Sequence, residues 1–239
     1  MNNILTYDGK LNLIIGCMWS EKTSALIRHY NRYNLAGKKC LMIKYSKDTR
    51  YDEKAVTTHN GVKVPALPCT YLYEVDHLVN NYDVICIDEV QFYKDGHIFC
   101  DKWCNTGLTV IACGLNGTFN RTQWPVISRL IPLAENITFV TAVCKETGND
   151  AVYSNINIGD TGGQTEIIGG SELYNAVDRE TYFTNKKFYT PELLKEFIDI
   201  YIEANSLKVP DKIIEEFLTN FDSNNMDLVK TFREYAKIV

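Results

Sequence analysis

Gly16-Cys17-Met18-Trp19-Ser20-Glu21-Lys22-Thr23 places a glycine six residues before a Lys–Thr pair, a spacing that can hold phosphate. In such a loop, backbone N–H groups at a helix N-terminus cradle the phosphate oxygens. The lysine reaches the β and γ phosphates, and the threonine hydroxyl coordinates Mg²⁺. Lys22 and Thr23 stand where those two parts belong. The acidic half of such a site lies at the end of a neighbouring apolar strand, where a carboxylate holds the magnesium through water. Asp88, directly after Val84-Ile85-Cys86-Ile87, occupies that position. Glu89 beside it can take the proton from an attacking hydroxyl. Either half alone is an ordinary loop or strand end. Both in this order, each after an apolar run, point to ATP- and Mg²⁺-dependent phosphoryl transfer.

The loop departs from its pattern at one place, where Glu21 replaces a second glycine. Glycine there lets the backbone approach the phosphates without a side chain between them. A carboxylate about 4 Å from a phosphate charge costs roughly 4 kcal/mol at an effective dielectric of 20. Half of that weakens ATP binding by more than tenfold. Alternatively, Glu21 points outward along the helix, where an acid near the N-terminus is tolerated. Two functions stay open with it: phosphotransfer at reduced rate, or an impaired relative that senses nucleotides or binds a partner.

The elements that position these residues alternate between strand and helix. Residues 11–15 read as a strand, 22–36 as a helix capped by Gly37, and 40–45 as a second strand. Residues 84–87, 108–113 and 137–140 are continuous apolar runs, as buried parallel strands should be. Strands alternating with helices imply right-handed crossovers and an α/β parallel sheet. From Ala151 the pattern breaks into short pieces, with residues 164–168 reading as a hairpin or flap between glycine pairs. Beyond Phe188, apolar residues recur at helical spacing in three sets. Leu193, Leu194, Phe197, Ile198 and Tyr201 form the first, and Thr190-Pro191-Glu192 is a good helix start.

Composition narrows the function classes. The chain has 239 residues, 45% of them hydrophobic, a formal charge of −5 and a pI near 5.5. That charge gives no footprint for a nucleic-acid polymer. No apolar stretch approaches the roughly 18 residues needed to span a bilayer. Residues 1–6 lack the basic and apolar regions of a signal peptide. With eight cysteines and no targeting signal, the expectation is a reduced, cytoplasmic protein whose thiols are buried. Cys100 and Cys104, on one predicted helix with no partner pair, read as packing.

Seven segments together resemble the type II thymidine kinases, the small cytosolic and viral kind. They are residues 16–20, Ile43-Lys44-Tyr45-Ser46-Lys47-Asp48-Thr49-Arg50-Tyr51, Thr58-His59, Ile87-Asp88-Glu89-Val90-Gln91-Phe92, residues 115–121, Thr141-Ala142-Val143-Cys144, and residues 167–174. The resemblance runs over residues 11–183. It implies three regions: a phosphate-loop ATP-binding α/β domain over 1–143, a small lasso subdomain closing over the nucleoside at 144–187, and an amphipathic helical extension at 188–239. It implies that Gly16, Cys17, Met18, Trp19, Ser20, Glu21, Lys22 and Thr23 bind ATP, and that Thr23 and Asp88 hold Mg²⁺. Glu89 would be the base on the 5′-hydroxyl of thymidine, and Arg50 the cation near the transferred phosphate. Met18, Phe92, Leu115 and Phe119 would line the nucleoside pocket, with main-chain hydrogen bonds from Thr165, Ile167 and Gly169 and with Tyr174 on the sugar or base. A homo-oligomer, dimer or tetramer, is implied too. The family fastens its lasso with two Cys-x-x-Cys pairs on a structural zinc. Here those positions read Cys144…Thr147 and Asp178…Thr181, one thiolate of four, so no zinc is expected and nothing is expected to staple the base of the lasso.

Overall fold

Alternate residues of the apolar strands go to opposite faces of one parallel sheet, and each face has its own core. The computed structural model describes residues 8–48, 54–58, 60–157, 173–184, 189–222 and 227–237. Arg50, Thr165, Ile167 and Gly169 lie outside the described residues. In chain order the first unit runs β1 (Lys10–Gly16), α1 (Lys22–Leu35), β2 (Cys40–Tyr45), β3 (Ala55–Thr57), β4 (Lys63–Pro65), β5 (Leu67–Cys69) and β6 (Val84–Ile87). The chain continues through α2 (Gly96–Asn105), β7 (Thr109–Leu115), α3 (Pro125–Leu130), β8 (Asn136–Val140), β9 (Ala142–Val143), β10 (Asp150–Ala151), β11 (Tyr153–Ile156), β12 (Tyr174–Val177) and α4 (Arg179–Thr184). α5 (Pro191–Ala204), α6 (Asp211–Asn220) and α7 (Leu228–Tyr235) follow. The chain divides into two compact units, Met1–Thr181 and Tyr182–Val239.

The main sheet has six strands in the order β5-β2-β6-β7-β1-β8, every adjacent pair parallel. Leu11, Leu13, Ile43, Ile85, Ile87, Val110 and Ala112 face Trp103, Trp124 and Leu130 from the side of α2 and α3. Ile14, Met42, Cys86, Ile111 and Cys113 face Leu26 and Ile27 of α1, with Val56 and Val64 of the β3–β4 ribbon. This two-sided burial is why the strands read as continuous apolar runs rather than alternating ones. Cys100 and Cys104 both lie on α2 and are buried in the first of these cores.

Two strand expectations are corrected. β8 was expected to be buried; it is an edge strand, with Ile137 41% and Phe139 51% exposed, and among the described residues no strand pairs beyond it in the sheet. The opposite edge, β5, contains Pro68, whose missing N–H an edge strand tolerates, and no apolar run marks it. Residues 164–168 lie outside the described residues, so the hairpin expected there is not described. The ribbons that are described there pair β9 with β10 and β11 with β12, both antiparallel.

Among the described residues of the second unit, α5, α6 and α7 pack into a helical bundle. Thr190 caps α5 by accepting from the Leu193 N–H at 3.2 Å, with Pro191 at the first helical position. Leu194, Ile198, Phe217, Leu228 and Phe232 form its core, and the Phe217 and Phe232 rings meet edge-on at 5.0 Å. A bundle this small rests on few large side chains, and truncating a buried Phe to Ala typically costs about 3–5 kcal/mol. Phe232→Ala is therefore expected to abolish amide protection across α5–α7, read by hydrogen exchange; unchanged protection would show that the ring is not a keystone.

Candidate active site

The phosphate loop leaves β1 at Gly16, where a Cβ would collide with the Val140 carbonyl and the Ser20 hydroxyl. Only glycine fits that close passage of the chain against β8. The loop then curls tightly. Ser20 Oγ donates to Cys17 O at 2.8 Å, and the buried Lys22 ammonium lies inside the curl on Cys17 O, with Ser20 Oγ 3.4 Å away. α1 starts at Lys22, so its first N–H groups face the loop.

Two residues of the curl sit in the left-handed backbone region, Trp19 at φ 65° and Glu21 at φ 62°. Trp19 Nε1 donates to Tyr174 O at 3.0 Å. Glu21 makes no side-chain capping bond and its side chain is exposed at the rim of the cleft. The glycine of the phosphate-loop pattern would adopt this backbone freely, whereas a residue with a Cβ pays roughly 1–2 kcal/mol for it. The strain adds to the electrostatic effect already expected of the carboxylate, and the spacing of the motif gave no sign of it.

Thr23, Asp88 and Glu89 come together at the carboxyl ends of the strands, where ligands bind in open α/β sheets. Thr23 Oγ1 donates to Asp88 Oδ1 at 3.1 Å, and the Cys113 thiol donates to the same oxygen at 3.0 Å. Burial, and then the neighbouring Glu89 charge, push the Asp88 carboxyl up to about 6, against the pull of its two hydrogen bonds. Such a carboxylate gains from a cation beside it. A hydroxyl and a carboxylate are the hard oxygen donors that suit Mg²⁺, so the residues present fit that ion.

All three line a cleft of about 490 Å³ in the first unit, together with Met18, the phosphate loop and Tyr174. Phe119 is buried with its ring 6.4 Å from that of Tyr174. Phe92 and Leu115 pack against the core on the α2 side, where Phe92 stacks on Tyr45 at 5.2 Å and meets Trp124 edge-on at 5.6 Å. Lys44 also lines the cleft, 6% exposed, with Nζ 3.4 Å from Ala55 O. Residue-by-residue reading missed it, because a strand lysine ordinarily reads as surface. Its place at the end of an apolar strand was the available signal.

The sheet and its loop define a phosphate-loop nucleotide-binding protein. The family profile described as thymidine kinase matches residues 9–182, and the chain belongs to that family. It is 42% identical over 177 residues to the thymidine kinase of Myxoma virus (strain Lausanne), covering 74% of this chain and 98% of that one. It is 43% identical over 178 residues to thymidine kinase 1 of Dictyostelium discoideum, 73% of this chain and 78% of that one. With the cytosolic thymidine kinase of Homo sapiens it shares 41% over 175 residues, 73% and 74% of the two chains. The profile match ends at residue 182, where the helical unit begins.

The zinc of the family does not fit this chain. Cys144, Thr147, Asp178 and Thr181 do converge, but on one another. Asp178 Oδ2 accepts from the Thr147 hydroxyl at 2.6 Å and the Asn149 amide at 3.1 Å, and Oδ1 accepts from the Thr181 N–H at 2.9 Å. These bonds, that from Thr147 first, hold the Asp178 carboxyl well below the usual range. Cys144 Sγ lies 3.4 Å from the Thr181 hydroxyl. Burial opposes ionisation of this thiol, but bonds from Thr181 and Thr147 outweigh it and bring it to about 7. Threonine hydroxyls do not complete a tetrahedral zinc site. Among the described residues, no group of three or more His, Cys, Asp or Glu could hold a metal. The expectation of an unstapled lasso base is thereby corrected: a carboxylate-centred cluster ties residues 144–149 to 178–181. It escaped notice because a missing thiolate reads as a loss, whereas hydroxyl, amide and carboxylate complement one another.

Two expectations follow from these geometries. Glu21→Gly removes both the strain and the charge, so it should raise the Tm and tighten Mg-ATP binding at least about tenfold; unchanged binding would show that the carboxylate never faces the phosphates. Asp178→Ala should lower the Tm by several degrees, a chelator should leave the parent's Tm unchanged, and the triple variant Thr147→Cys, Asp178→Cys, Thr181→Cys should take up one zinc per chain. One zinc in the purified parent, or a parent-like Tm for Asp178→Ala, would refute the cluster's role.

Proposed function

We propose that the chain transfers the γ-phosphoryl group of ATP to the 5′-hydroxyl of thymidine. One observation carries this reading: the 3.1 Å contact between Thr23 and Asp88, with Glu89 beside them in the same cleft. Glu89 takes the hydroxyl proton as the 5′-oxygen forms its bond to the γ-phosphorus, the bond to the bridging oxygen breaks, and ADP leaves. Lys22 and the N–H groups at the start of α1 stabilise charge on the phosphates. Thr23 and Asp88 would hold Mg²⁺, which when bound neutralises phosphate charge. Lys44 adds a second cation to that wall of the cleft.

Met18, Tyr174 and Phe119 supply apolar surface for the nucleoside, with Phe92 and Leu115 behind them on the Tyr45 side. Arg50 is the cation at the transferred phosphate, and Thr165, Ile167 and Gly169 offer main-chain bonds to the thymine edge, by resemblance to the family. The lasso over 144–187 closes on the nucleoside against the ATP-binding region over 1–143. The exposed apolar edge of β8 supports a homo-oligomer, which light scattering of the purified chain tests. Among the described residues no helix is long and apolar enough to cross a membrane. Resemblance to the cytosolic thymidine kinases supports a cytoplasmic enzyme.

The second reading is an impaired, nucleotide-sensing relative, favoured by the strained and exposed Glu21 in the phosphate loop. A phosphotransfer assay across the four deoxynucleosides separates the two. Thymidine should be converted to dTMP in a Mg-ATP-dependent reaction, and Glu89→Gln should lower kcat by at least about 100-fold with little change in KM. A ligand that binds only the native state raises the Tm. Thermal shifts with ATP and thymidine but no product formation would establish the impaired relative instead.

A further inference from the structure

Immediately after β6 the chain makes a single 3-10 turn at Val90–Phe92, entered by Glu89 with a left-handed φ of 54°. The turn folds the side chain of Gln91 back alongside that of Glu89. Gln91 is 4% exposed, an unusual burial for an amide. Its Nε2 donates to Glu89 Oε2 at 2.6 Å, and its Oε1 accepts from the Leu115 N–H at 3.1 Å. The two neighbours fix the orientation of the amide, since a carboxylate only accepts and a peptide N–H only donates. Leu115 is the last residue of β7, so the amide bridges the carboxylate to the rigid end of a central strand. The residue before it, Gly114, keeps the space open: a Cβ there would come within 2.5 Å of Gln91 Oε1.

We propose that Gln91 is a positioning residue for phosphoryl transfer, pinning the Glu89 carboxylate to the end of β7 so that its approach to the nucleoside hydroxyl is fixed before substrate arrives. This rests on the reading of Glu89 as the base. Glu89 lines the cleft, and a hydrogen bond on one carboxylate oxygen narrows the set of rotamers that a side chain with three rotatable bonds can sample. Misplacement of a catalytic group by about 1 Å can cost on the order of 100-fold. The amide holds one carboxylate oxygen and is itself held by the sheet, the arrangement of a supporting residue behind a reacting one.

The test is kinetic, on the full chain with thymidine and Mg-ATP. Gln91→Met, of similar volume and without hydrogen bonds, should lower kcat about 10- to 100-fold and leave both KM values within about threefold. Gln91→Glu keeps the shape and the acceptor for the Leu115 N–H but sets a second buried carboxylate against Glu89; it should lose kcat similarly, with both KM values again within about threefold. In a Glu89→Gln background, Gln91→Met should cost no more than about twofold further, because there is no longer a base to position. A parent-like kcat in both Gln91 variants, with Glu89→Gln still impaired at least about 100-fold, would overturn the proposal and leave the base in place. Multiplicative losses in the double variant would overturn it as well, by assigning Gln91 a role apart from Glu89. A parent-like kcat for Glu89→Gln would remove the base itself, and the positioning role with it.

Discussion

The contact between Thr23 and Asp88 depends on registers set far from it. Asp88 directly follows β6, whose Ile87 pairs with Ala112, while β1 runs on to pair Gly16 with Leu115. The extra reach of β1 lets the loop arch over the strand ends, so that α1, returning across the sheet, sets Thr23 down on Asp88. A one-residue slip of β6 against β7 would turn Asp88 to the opposite face and put Ile87 in its place. Both faces of β6 are apolar, so what resists such a slip is packing: Ile85 and Ile87 fill one core, and the smaller Val84 and Cys86 fill the other. Packing on the two faces of the sheet thus fixes the separation of Thr23 and Asp88.

Much of this was legible because it is local. The runs at 40–45 and 84–87 coincide with β2 and β6, and the helix start at Thr190-Pro191 coincides with the cap of α5. What stayed hidden is non-local. Whether Ile137 and Phe139 are buried depends on whether another strand pairs beyond β8, which apolar character cannot say. Phe92 pairs with Tyr45 and Trp124, 47 and 32 positions away in the chain, and so belongs to a core whose members no spacing connects. Gln91 and Lys44 are polar residues in buried places, and a polar side chain in sequence carries no mark of its partner. The cluster around Asp178 is the same case across about 30 positions.

The phosphate loop is also tied to the small ribbons, a feature that its motif does not describe. Cys17 Sγ donates to Ala151 O at 3.1 Å, the Met18 N–H donates to Ser154 Oγ at 3.0 Å, and the Trp19 indole donates to Tyr174 O at 3.0 Å. Three successive loop residues therefore address the strands that carry the proposed nucleoside side. Large side chains occupy positions where a loop serving phosphate alone would need only backbone. The Asp178 cluster, through residues 178–181 just after β12, fastens the other end of the same ribbons. Movement of the ribbons about a bound nucleoside would thus be transmitted to the loop through short, directional bonds.

These ties bear on why Glu21 is tolerated at all. Trp19 pays for a left-handed backbone, and its indole bond to Tyr174 returns part of that cost. Glu21 has no comparable side-chain bond at the cap. What it does have is the field at the start of α1, where a carboxylate gains about 0.3–1 kcal/mol from the helix N-terminus. That gain is smaller than the roughly 1–2 kcal/mol of backbone strain, so Glu21 remains a net cost to the fold. The same N-terminal field is what a phosphate would use. On the proposed binding of ATP, Glu21 and the nucleotide would therefore compete for one source of stabilisation, and a bound phosphate would displace the carboxylate from the helix field that offsets part of its strain.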